Sequence, residues 1–134
     1  MIVDTSAVVA IVLDEFGSDE VTEALARSTS ARMSAAAYVE LCAVLHRRGR
    51  PEINRNVDRL LASLEIDIEP LDADQARVAA QAYRDFGKGS GHPARLNLGD
   101  SYSYALAAVT DEALLYRGED FAHTDLRSAL TDPE

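Results

Sequence analysis

The sequence predicts an α/β fold, a three-layer α/β/α sandwich built on a mainly parallel central sheet. Three observations carry this expectation. Short strand-like apolar runs alternate with segments of helical periodicity along the whole chain. The 134 residues are 47% hydrophobic and 27% charged, enough apolar material for one core, so residues 1–134 are expected to form a single domain. Acidic residues stand just beyond two strand-like runs, where open parallel sheets place their sites.

Each element has a local reason. Ile2-Val3-Asp4 reads as a short buried strand, and Thr5 or Ser6 can cap a helix from Ala7 to Leu13. Gly17-Ser18 breaks the chain before a second helix, about Asp19 to Ala26, with Val21 and Leu25 one turn apart. Ala31-Arg32-Met33 is a weaker strand, and Ser34 is placed to cap the helix Ala35 to Arg48. That helix shows Tyr38, Leu41, Cys42 and Leu45 at helical spacing and stops at Gly49. Pro51 opens a unit with the stripe Val57, Leu60, Leu61 and Leu64. Ile66 to Glu69 alternates as a strand does, and Pro70 ends it. Asp72 or Asp74 caps a helix carrying Ala76, Ala79, Ala80, Tyr83 and Phe86. Gly87 to Pro93 reads as a flexible loop. Asp100 to Val109 reads as a helix and Ala113 to Tyr116 as the last strand, followed by a polar turn and a short tail.

Composition narrows the function classes. No basic and apolar leader is visible, and no apolar run approaches the roughly 18 residues of a membrane span. One cysteine, Cys42, excludes an internal disulfide, so the cytoplasm is the expected compartment. The net charge of −10 opposes broad nucleic-acid binding. The cations are clustered, however. Arg47, Arg48, Arg50, Arg55 and Arg59 face only Glu52 and Asp58 in their stretch, and Arg84, Lys88 and Arg95 face only Asp85. Lys88, His92, Arg95, Arg47 and Arg48 are candidate RNA contacts, with plain solvated surface as the alternative.

Four carboxylates carry the chemistry. Asp4 ends the first strand, Glu40 interrupts an apolar helix face, Asp100 opens a small-residue helix, and Asp120 follows the last strand. Singly, each has an ordinary reading as a helix cap, a solvated flank or a turn residue. Jointly they would repel unless a hard divalent cation, Mg²⁺ or Mn²⁺, lay among them. Such a site activates water for in-line attack on a phosphodiester. Histidine and cysteine are too scattered for zinc, and Cys42 with His46 makes only half of such a site. Gly87-x-Gly89-x-Gly91 follows a helix and is no dinucleotide fingerprint, and no Gly-x-Ser-x-Gly elbow supports serine catalysis.

The joint pattern resembles the PIN-domain family, and within it the VapC toxins of bacterial toxin–antitoxin pairs. Four blocks carry the likeness over nearly the whole chain: Met1 to Ala10, Ser34 to Glu40, Tyr83 to Gly89 with His92 to Ala107, and Leu115 to Leu126. The resemblance implies a metal-dependent endoribonuclease that inhibits translation, with Asp4, Glu40, Asp100 and Asp120 as its acidic quartet. Asp125 competes with Asp120 for the fourth place, and Glu119 matches less well. Ser6 or Thr5 would be the hydroxyl near the metal, and Asn97 would order the loop. The resemblance also implies a cognate VapB-type antitoxin, a homodimer and a toxin–antitoxin hetero-oligomer, with RNA as substrate and no membrane. Two other readings stand beside it: a receiver-like regulatory domain, and a metal-binding PIN-like interaction module without nuclease activity.

Overall fold

The computed structural model describes residues 1–130. Four strands, β1 (Ile2–Val3), β2 (Ala31–Ser34), β3 (Ile66–Glu69) and β4 (Leu114–Leu115), form one sheet in the order β3-β2-β1-β4. Every pairing is parallel, with Ile2 opposite Arg32 and Leu114, and Val3 opposite Leu115. This order differs from the 2-1-3-4-5 arrangement of receiver domains, which removes the receiver-like reading.

Among the described residues seven α-helices link and cover the strands: α1 (Thr5–Val12), α2 (Ser18–Arg27), α3 (Ala35–Arg47), α4 (Pro51–Arg55), α5 (Val57–Ser63), α6 (Ala73–Phe86) and α7 (Leu98–Thr110). Successive strand residues point to opposite faces. Val3 and Leu115 accordingly pack with Val8, Val21, Leu41 and Leu61 from α1, α2, α3 and α5. Ile2 and Leu114 pack with Ala82, Tyr104 and Leu106 from α6 and α7. Two apolar clusters on the two faces give the expected three layers.

Several boundaries move for physical reasons. Asp4, rather than Thr5 or Ser6, caps α1, its carboxylate accepting from the Ser6 N–H at 3.0 Å. Asp72 is the cap of α6, bonded to the Gln75 N–H at 2.8 Å. The unit after Pro51 divides into α4 and α5 at Asn56. Helix α7 starts at Leu98, before Asp100, because Asn97 takes the cap position.

Two expected loops are structured. Gly87 to Pro93 closes on itself: Ser90 Oγ donates to the Gly87 carbonyl (2.6 Å), and His92 Nδ1 accepts from the Ala94 N–H (3.0 Å). His92 also meets Phe86 edge-on, with ring centroids 4.8 Å apart. After the polar turn, where a short tail is expected, residues 127–129 return to the sheet edge, and the rest of the expected tail, 131–134, lies outside the described residues. There the Leu114 N–H donates to the Arg127 carbonyl, and the Ala129 N–H to that of Leu114, both at 2.9 Å.

Candidate active site

Asp4 leaves β1 at the carboxyl end of the sheet and is only 3% exposed. Its Oδ2 accepts from the Ser6 N–H, and its Oδ1 accepts from Ser103 Oγ at 2.6 Å. Asp100 is buried in the first turn of α7 within a reciprocal capping box. Asn97 Oδ1 accepts from the Asp100 N–H (2.8 Å), and Asp100 Oδ2 accepts from the Asn97 N–H (3.1 Å). Glu40 stands on α3 directly over Gly99, where any Cβ would fall inside the Glu40 carboxylate. Asp120 begins a 3₁₀ turn, Asp120–His123, held down by buried Phe121.

These four side chains line one cleft of about 370 Å³ together with Thr5, Ser6, Glu15, Asn97 and Arg117. The Thr5 hydroxyl donates to the Ala37 carbonyl at 2.9 Å, so it ties α1 to α3. Ser6 Oγ accepts from the Arg117 N–H at 3.0 Å. Asp125 is engaged elsewhere, accepting from Tyr104 Oη at 2.8 Å, and does not line the cleft.

Lys88 and Arg95 line an adjoining pocket that shares Asn97 and Asp120 with the cleft. His92 is absorbed by the loop contacts described above. Arg47 lies near enough to Glu40 for its charge to act on it, and Arg48 pairs with Glu15 at 3.6 Å.

Sequence reasoning missed Ser103 and Arg117. Ser103 lies three residues after Asp100 on the same helix, a spacing that puts both on one face. Arg117 is tied by its Nη2, which donates to the Phe16 carbonyl at 3.2 Å, and its guanidinium fills the space a side chain at Gly17 would need. No motif in the sequence announces that contact.

The electrostatics reflect the crowding of like charges. Burial, and then the charge of Asp4, raise the proton affinity of Glu40, against the opposing pull of the Thr5 hydroxyl and Arg47. Burial and the charge of Asp4 push Asp100 up to about 8, helped by Asp120 and opposed by the backbone hydrogen bond from Asn97. A cation in the cleft would reverse both shifts. Among the described residues no group of three or more acidic, histidine or cysteine side chains is gathered closely enough to hold a metal ion by itself. An all-oxygen donor set around an open cleft nevertheless suits Mg²⁺ or Mn²⁺. Mg²⁺ commonly uses one or two carboxylates and completes its shell with water and substrate phosphate.

Comparison with known proteins agrees with this architecture. A family model described as PIN domain matches residues 1–126. Ribonuclease VapC42 of Mycobacterium tuberculosis (strain H37Rv) is 69% identical over 131 residues, covering 98% of this chain and 100% of the relative. Ribonuclease VapC28 of the same organism is 49% identical over 130 residues, covering 97% and 98%. Among solved structures, M. tuberculosis VapC20, described as a sarcin-ricin loop cleaving toxin, superposes with a TM-score of 0.74 at 16% identity, covering 93% of this chain and 95% of that one. A toxin–antitoxin complex from Klebsiella pneumoniae gives 0.68 at 16% identity, covering 92% of each chain. These two structural likenesses speak for the fold. The family match and the near full-length identity together show that the chain belongs to the PIN-domain family and, within it, to the VapC ribonuclease toxins.

Proposed function

We propose that this chain, acting as one PIN domain over residues 1–134, is a divalent-cation-dependent endoribonuclease and the toxin of a toxin–antitoxin pair. The observation that carries the reading is the convergence of Asp4, Glu40, Asp100 and Asp120, from four separate segments, on one cleft. These residues are the ones that would hold Mg²⁺ or Mn²⁺. When bound, such a cation offsets charge at the phosphoryl group and eases loss of a proton from the attacking water.

The protein's own part is to fix the carboxylates. Ser103 and the Ser6 N–H hold both oxygens of Asp4, so its lone pairs are oriented before substrate arrives. The capping box holds Asp100, and Gly99 leaves room for Glu40 to lie beside it. Asp120 closes the set in preference to Asp125, whose carboxylate is occupied by Tyr104. Preorganised charge of this kind suits in-line displacement at phosphorus, where positioning and electrostatics supply most of the acceleration.

The reading includes a cognate VapB-type antitoxin, a toxin homodimer and their hetero-oligomer in the cytoplasm. The Klebsiella pneumoniae neighbour is supportive, since it is described as a toxin–antitoxin complex. Among the described residues no helix is long and apolar enough to cross a membrane. Purified protein incubated with bacterial RNA and Mn²⁺ or Mg²⁺ should yield discrete new 5′ ends. EDTA should abolish them, and so should Asp4→Asn or Asp100→Asn, each with its fold preserved by circular dichroism. Cleavage that survives in either variant would overturn the assignment of the quartet.

A further inference from the structure

Five of the twelve arginines of this acidic protein pair with carboxylates among the described residues. Arg27 pairs with Glu23, Arg32 with Glu69 and Glu112, Arg48 with Glu15, Arg77 with Asp74, and Arg127 with Asp111. Lys88 and Arg95 belong to the remaining cations, which have no carboxylate oxygen within 4.0 Å of their charged nitrogens among the described residues, and these two stand beside the acidic cleft. Both line one pocket of about 290 Å³, with His123 beside them.

The backbone presents these groups deliberately. Arg95 has φ +50°, in the left-handed region that a non-glycine residue avoids. Its neighbours Ala94 and Leu96 are 2% and 0% exposed, anchored in the core, while Arg95 itself faces solvent. The Lys88 N–H donates to the Leu96 carbonyl, and the Leu96 N–H to the Phe86 carbonyl, both at 2.9 Å, which pairs Gly87 with Leu96 in a parallel bridge and ties the segments carrying Lys88 and Arg95 together. His123 ends the turn that begins with Asp120, so one short element sends an acid to the cleft and a ring N–H donor to this pocket.

We propose that Lys88, Arg95 and His123 form a phosphate subsite that grips the RNA phosphodiester neighbouring the one under attack, and so sets the register of the strand over the acidic cleft. The inference rests on the nuclease reading above, because the pocket adjoins the cleft through Asn97 and Asp120. Lys88, Arg95 and the His123 ring supply hydrogen-bond donors to a phosphodiester from one side of a pocket that Glu119 and Asp120 also line.

The test separates binding from cleavage. A labelled single-stranded oligoribonucleotide with 5′-hydroxyl ends, drawn from a mapped cleavage site, is titrated with intact protein in EDTA over a series of KCl concentrations. Lys88→Gln and Arg95→Gln should each flatten the plot of log K against log salt by about 0.7, the value for one lost phosphate contact on a single strand. Arg95→Lys should restore the slope, His123→Ala should weaken binding, and Arg77→Gln should change nothing. Replacing the neighbouring phosphate by an uncharged methylphosphonate should reproduce the loss in the parent protein and add nothing in Arg95→Gln. Slopes equal to the parent, or losses that add, would overturn the subsite. A parent that cleaves RNA beside variants that bind normally rejects the subsite and keeps the nuclease. A parent that binds with these slopes but never cleaves rejects the nuclease and keeps the subsite.

Discussion

At the scale of single residues, Asp4 serves two roles, as cap of α1 and as wall of the cleft. Asn can also cap, so Asp4→Asn separates the chemical role from the structural one better than alanine does. Asp100 gives a prediction in pH. Its proton affinity in the fold lies above its usual value of 3.8, at about 8. The folded state therefore binds more protons than the unfolded one between those values, and stability falls as pH rises through that window. Thermal melts in EDTA should show the midpoint declining from pH 5 to pH 8. Asp100→Asn should decline less steeply and melt higher than the parent at pH 8. Parallel curves for the two proteins would contradict the assignment. Glu112 works in the opposite sense. Although burial opposes ionisation, the chain's terminal ammonium and Arg32 hold its proton affinity below the usual value. Its contribution is present above the usual carboxylate range and is lost on acidification below it, outside the window of Asp100.

At the scale of elements, the start of α7 joins structure to activity. The Asn97–Asp100 box satisfies two N–H groups that would otherwise lack partners at the helix end and sets the direction of the Asp100 carboxylate. Asn97→Ala should cost about 1 kcal/mol of stability, as helix caps do. Cleavage should fall well beyond that, because Asp100 is released from its position, while Asn97→Ser should keep much of both. Calorimetry and a single-turnover cleavage assay would measure the two losses, and equal activity in the alanine and serine variants would rule out the positioning role. The family resemblance, rather than any local pattern, is what singled out Asn97 as a residue to order this loop. The sequence hid the cap itself, since an acid after glycine reads equally well as a helix start. Ser103 stayed hidden for a related reason: a small hydroxyl on an alanine-rich helix has no pattern of its own. Flexibility of the glycine-rich loop was misjudged because composition reveals the glycines and not the Ser90 and His92 bonds that close it.

At the scale of the molecule, the layers were readable because Ile2-Val3 and Leu114-Leu115 are short, wholly apolar runs. A run buried on both faces implies helices above and below. The candidate site was legible only in its acids, whose placement near apolar segments stands out. The surrounding Arg117, and the return of the chain to the edge of β4, depend on contacts between residues distant in sequence, and no local rule encodes them. One such contact reaches further. Glu40 of α3 rests over Gly99 of α7, so helices from two cores meet at a point where any side chain would push the Glu40 carboxylate aside. In cells that express this chain without restraint, survival would itself select for inactivating lesions. Among survivors that still make full-length protein, position 99 should recur about as often as the acids, even though it carries no chemical group. A glycine would then rank genetically with the carboxylates it accommodates.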